Sequence, residues 1–237
     1  MKTRTIVMIL AALSGFISAG GFAGELGGNT PAITNSLTAP AANNGFDQHG
    51  YYTFRPDLRK CLSPLCGGIF VKAVNSKLTR CADGSLQAEC YVASVRNRKN
   101  IDTGSAALLH GRIKDKIYPD FGNLGVFELT AAFSAATAVV GEGHFVGLEN
   151  NGIVCITTPC FSVDQYLLNK NKLRVISGIN LEEVGASEEI LKKALAIIAD
   201  GGVLLASGVN KQVEEVAGTG ISFVADQFYL PIEPAVQ

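Results

Sequence analysis

The chain has 237 residues, 47% hydrophobic and 17% charged, a composition that suits a globular core. Lys plus Arg number 20 against 21 Asp plus Glu, a formal net charge of −1. The sequence has no basic stripe that would point to nucleic acid and no polybasic cluster that would point to an anionic membrane surface.

Residues 1–23 read as a secretory signal peptide. Lys2 and Arg4 supply the positive start, Thr5 to Ile17 a mostly apolar run, and Ser18, Ala19, Gly20, Gly21 and Ala23 the small residues of a cleavage region. The apolar run is short for a spanning helix, so no stable membrane anchor is expected after cleavage. The expected location is the periplasm or the extracellular medium. Residues 24–50 are rich in Gly, Asn, Thr, Ala, Pro and Ser and read as a flexible linker.

From Tyr51 onward the pattern is mostly strand. Expected strands are Tyr51–Arg55, Gly68–Asn75, Glu89–Val95, Ala106–Ile113 and Gly125–Phe133, with Asp83-Gly84 as a hairpin turn. They continue with His144–Leu148, Ser162–Asn169, Lys172–Ser177, Val203–Val209 and Gly220–Leu230. One convincing helix is expected from Ser187 to Ala199. Ser187 is its N-cap, Glu188 and Glu189 fill its first turn, and Ile190, Leu191, Ala194, Leu195 and Ile198 recur at helical spacing before Gly201. Gln212 to Val216 is too short for an amphipathic partner helix.

The chain echoes itself. Cys61, Cys66 and Asn75 match Cys155, Cys160 and Asn169 at a constant spacing of 94 residues, and Tyr51-Tyr52 matches Phe145-Val146. Leu108, Leu109, Phe127 and Phe133 match Leu204, Leu205, Phe223 and Tyr229 at a spacing of 96. This internal repeat predicts two similar β-rich lobes, residues 51–140 and 141–237. The expected class is α+β, predominantly antiparallel β. The element order of the second lobe fits an OB-like barrel and equally an open sheet with one packed helix.

Six cysteines in an exported chain imply disulfides. Equivalence of the lobes pairs Cys61 with Cys66 and Cys155 with Cys160, which leaves Cys81 for Cys90. Spacings of four and eight residues disfavour structural zinc, and a paired cysteine is no nucleophile. No H-E-x-x-H or G-x-S-x-G motif occurs, and the three histidines, His49, His110 and His144, read as structural or surface groups. No catalytic residue, metal or cofactor is expected.

The blocks Ser63-Pro64-Leu65-Cys66-Gly67-Gly68, Cys81-Ala82-Asp83-Gly84, Glu89-Cys90-Tyr91-Val92-Ala93 and Val154-Cys155-Ile156-Thr157-Thr158-Pro159-Cys160 together resemble an uncharacterised family of exported bacterial proteins, a domain of unknown function. The resemblance covers about Tyr51 to Pro231 and implies no activity or ligand. Many relatives carry a proline after the second cysteine loop; Phe161 stands there in this chain.

The resulting expectation is a non-catalytic binding or interaction module whose partner is another exported or extracellular protein. Its contact residues would be Leu62, Ser63, Pro64 and Leu65 in one bridged loop and Ile156, Thr157, Thr158 and Pro159 in the other. Rigid loops bind with a smaller ordering cost. A protease inhibitor using those loops and an enzyme with an unrecognised site are the alternatives.

Overall fold

Alternating apolar residues drive about half of the described residues into strands. The computed structural model describes residues 49–235. The expected signal peptide, and the linker up to residue 48, lie outside the described residues. The first half contains β1 (Gly50–Pro56), β2 (Ile69–Ala73), β3 (Thr79–Arg80), β4 (Leu86–Gln87), β5 (Cys90–Val92), β6 (Ser94–Asn97), β7 (Ala106–Lys114), β8 (Ile117–Tyr118), β9 (Gly122–Asn123) and β10 (Val126–Ala135). The second contains β11 (His144–Asn150), β12 (Val163–Leu167), β13 (Leu173–Ile176), β14 (Gly178–Asn180), helix α1 (Glu188–Ala199), β15 (Leu204–Glu215) and β16 (Gly218–Pro231). The class is α+β and predominantly antiparallel.

Twelve strands form one sheet, with hydrogen-bonded order β13-β12-β11-β15-β16-β10-β7-β1-β2-β5. The two remaining strands pair in parallel, β6 with β10 and β14 with β16. The expected single strand Glu89–Val95 is split at Ala93. Its first part bonds β2 and its second bonds β10, because the Ala93 N–H is diverted to the Leu124 carbonyl at 3.3 Å. Neighbours in the first half therefore run β5–β2–β1–β7–β10–β6, with β5 and β6 contiguous in sequence. The second half follows the same order as β13–β12–β11–β15–β16–β14.

The halves meet where β10 pairs antiparallel with β16, Phe133 opposite Pro231 and Ala135 opposite Tyr229. Behind this seam lies a shared apolar cluster. Tyr51, Val74, Leu108 and Phe133 come from one half, and Phe145, Leu168, Leu205 and Tyr229 from the other. Two expected matches, Leu108 with Leu204 and Leu109 with Leu205, are corrected here. Phe133 faces Leu108 and Tyr229 faces Leu205, so Leu108 corresponds to Leu205 rather than Leu204. A slip of one residue moves a side chain to the opposite face of a strand. Leu109 accordingly packs in the first half's own core with Phe127 and Val71, while Leu205 serves the seam.

Helix α1 packs against β11, β15 and β16. The Ser187 hydroxyl accepts from the Ile190 N–H at 3.4 Å, and Glu188 and Glu189 pair with Lys192 and Lys193 one turn on, each at 2.8 Å. Ala194 is fully buried among Ile190, Leu191, Ile197 and Ile198, whereas Leu195, expected on the apolar face, is half exposed. Gly201 takes φ +74° and ends the helix. β15 extends to Glu215, well beyond the expected Val209, and takes in most of the Gln212–Val216 segment. Its outer part is exposed and is held by pairing with β16 rather than by burial.

Candidate functional site

The two cysteine loops occupy equivalent places, the β1–β2 and β11–β12 connections. All three expected disulfides are present: Cys61–Cys66, Cys81–Cys90 and Cys155–Cys160, with Cα separations of 5.5, 5.2 and 5.6 Å. They fit a protein of an oxidising environment. Among the described residues no helix is long and apolar enough to cross a membrane.

The first loop is braced from below. Asp57, buried at the end of β1, accepts from the Arg59 backbone N–H at 3.1 Å, from Nε at 2.9 Å and from a guanidinium NH2 at 3.0 Å. The Arg59 guanidinium holds the Asp57 carboxyl below the usual carboxylate range. That NH2 also donates to the Leu65 carbonyl at 2.9 Å, and the Tyr91 hydroxyl donates to the Pro64 carbonyl at 2.7 Å. The Arg59 and Arg55 guanidinium groups lie over the Phe70 ring at 5.2 and 4.0 Å. With the backbone so anchored, Leu62 projects outward at 83% exposure, and Leu58 and Leu65 are exposed beside it.

The second loop is anchored differently. The Asn151 amide donates to the Phe161 carbonyl at 3.3 Å and to the Asp164 carboxylate at 3.1 Å, while its oxygen accepts from the Ile153 N–H at 3.1 Å. Ala217, in the β15–β16 turn, donates its N–H to the Thr158 carbonyl at 2.8 Å. That contact places the exposed Val216 beside the loop, whose Ile153, Val154 and Ile156 are also exposed, Ile156 completely. Both loop prolines, Pro64 and Pro159, follow cis peptide bonds. The expected contact residues thus fall into two separately anchored loops, and the exposed apolar side chains extend to Leu58, Ile153, Val154 and Val216. Sequence reasoning missed those four because they lie outside the bridged loops.

Titratable groups elsewhere are accounted for by structure. Burial pushes His110 down to about 4, with His49 adding to the effect; its Nδ1 is 2.7 Å from the Thr130 hydroxyl, which donates to the His110 carbonyl at 2.9 Å. Desolvation would raise Glu128, but hydrogen bonds from Arg112 and Arg96, with Lys114 nearby, bring it to about 2. Among the described residues no three His, Cys, Asp or Glu side chains form a group that could hold a metal ion.

No curated protein and no solved structure matches the chain significantly. A family model does match, over residues 50–235, which is nearly the whole described chain. The chain belongs to the family described as Domain of unknown function (DUF6748).

Proposed function

We propose that this protein is an exported, non-catalytic binding module, built as an internal duplication of two OB-like lobes, residues 51–140 and 141–237, and that it meets a partner protein through its cysteine loops. The observation that carries the reading is the exposure of Leu62 and Ile156 in loops whose backbones are fixed by disulfides and by Asp57, Arg59, Tyr91 and Asn151, with the exposed Val154 just outside the second bridge. A rigid loop presenting apolar side chains loses little conformational freedom on binding. The ring of strand neighbours in each half supports the OB-like reading. By fold-level analogy, OB-folds recognise ligands with the connection between their first two strands and that between their last two. In the second lobe these are the Cys155–Cys160 loop and the β15–β16 turn, joined by the Ala217–Thr158 hydrogen bond. Three disulfides and the composition of residues 1–23 support export.

A photoreactive residue placed at Leu62 or Ile156 tests the reading in the producing cells. Discrete crosslinked adducts are expected from those positions and not from Lys192 on the exposed side of α1. Replacing the same anchor, Ile156 by Ser, should weaken capture about tenfold or more, since burying an Ile side chain is worth about 1.5–3 kcal/mol. Equal labelling from all three positions, or none from either loop, would place the functional surface elsewhere.

A further inference from the structure

Three depressions meet at His144; the smallest, about 470 Å³, is lined by Glu142 as well as Lys72, and the other two continue into each other. Of those two, the first, about 520 Å³, lies where the turn after β2 approaches the turn after β12, and Lys72, Lys77, Lys170 and Lys172 rim it. The second, about 750 Å³, opens between β12–β13 and β15; Val146, Leu167, Leu173 and Val209 contribute apolar surface, and Gln165 and Asn210 an amide pair. His144, Leu167 and Lys172 line both, so the two are continuous.

The chemistry differs between the two ends. No carboxylate lines either of these two depressions, although Glu142 lines the third and Glu89 lies within electrostatic reach of Lys72; none of the four lysine ammonium groups forms an ion pair within 4 Å among the described residues. Like charges gathered in one groove repel, and an anion relieves that repulsion while accepting charge-assisted hydrogen bonds. At the other end Gln165, only 6% exposed, exchanges amide hydrogen bonds with Asn210 at 3.0 and 2.8 Å. Each amide keeps one N–H and one lone pair beyond that exchange. The second depression is lined about equally by apolar residues and by His144, Gln165, Asn171, Lys172, Arg174 and Asn210, and its volume is that of a small-molecule site.

We propose that this continuous depression binds a small amphipathic anion: an apolar or ring-bearing body against Val146, Leu167 and Val209, with its phosphate, sulfate or carboxylate among the lysines. The site is independent of the cysteine-loop reading. Lys72 and Lys77 come from one half and Lys170 and Lys172 from the other, so the anion subsite exists only when both turns are in place.

The probe is 8-anilinonaphthalene-1-sulfonate, which has an aryl body and one sulfonate, titrated by fluorescence into the folded, disulfide-intact protein. Saturable binding of one equivalent is expected. The variant with Lys170→Gln and Lys172→Gln should weaken it at least tenfold, as should Val209→Asp, while Lys192→Gln with Lys193→Gln on α1 leaves it unchanged. Leu173→Asp replaces Val209→Asp should that variant lose its near-UV circular dichroism. Decanoate, decyl sulfate and decyl phosphate should displace the probe and rank the headgroups; inorganic sulfate and neutral decyl maltoside at the same concentration should not. Unchanged affinity in the lysine variant, or equal displacement by decyl maltoside, would overturn the proposal.

Discussion

Replacing Asn169 by Ala should destabilise the whole chain, because Asn75 and Asn169 tie the two halves together reciprocally. The Asn169 amide donates to the carbonyls of Tyr51 at 2.7 Å and Val74 at 3.2 Å, and its oxygen accepts from the Tyr51 N–H at 2.8 Å. Asn75 does the same in the other direction. It donates to Phe145 at 2.7 Å and Leu168 at 2.9 Å, and accepts from Phe145 at 3.0 Å. Both adopt the left-handed conformation, φ +59° and +55°, which Asn tolerates better than most residues. Three hydrogen bonds at about 1 kcal/mol each, plus about 1 kcal/mol for forcing Ala into that conformation, give a cost of about 4 kcal/mol. Asn169→Gly keeps the hydrogen-bond loss and removes the strain, so it should cost about 1 kcal/mol less than Ala. Urea unfolding followed by far-UV and near-UV circular dichroism measures both. For a chain of this size the Ala variant should also lower Tm by about 8–16 °C. A loss below about 1 kcal/mol for Asn169→Ala would refute the clasp. An Ala variant no worse than Gly would refute the strain component.

Acid should weaken the fold through His110. Its folded value near 4 lies below the ordinary 6.5, so the unfolded chain binds the extra proton first. Stability is therefore fully present above about pH 6.5 and falls as pH drops toward 4, by about 3 kcal/mol; His110→Asn should flatten that part of the pH profile of urea midpoints relative to the parent. Gly111→Ala should cost about 1–3 kcal/mol or more in the same assay, because an added Cβ would sit 2.2 Å from the Glu128 carbonyl oxygen and 2.8 Å from the Phe127 ring. Replacing Cys61 and Cys66 together by Ser should cost only about 2 kcal/mol and leave one cooperative transition, since so short a loop removes little entropy from the unfolded chain.

The strands around the cysteine loops and α1 were legible in the sequence because their causes are local, whereas the disulfide pairings were legible from the repeated cysteine spacing, with Cys81 and Cys90 left for each other. Alternating apolar residues and Ser187 before two glutamates each act over a few positions. What a residue faces across the sheet is not local. The split of Glu89–Val95 at Ala93 and the one-residue shift that pairs Leu108 with Phe133 depend on strands far away in sequence. The same holds for the exposed arm of β15, which hydrogen bonding to β16 sustains without the burial that a sequence pattern reports. The candidate surfaces divide in the same way. Leu62 and Ile156 could be named from loop composition, but their exposure follows from anchors such as Asp57, Arg59 and Asn151 that only folding brings beneath them. No polybasic run exists in the sequence, yet Lys72, Lys77, Lys170 and Lys172 converge. They do so because Asn75 and Asn169, each reaching across to the other half's first strand, draw two separate turns into one groove.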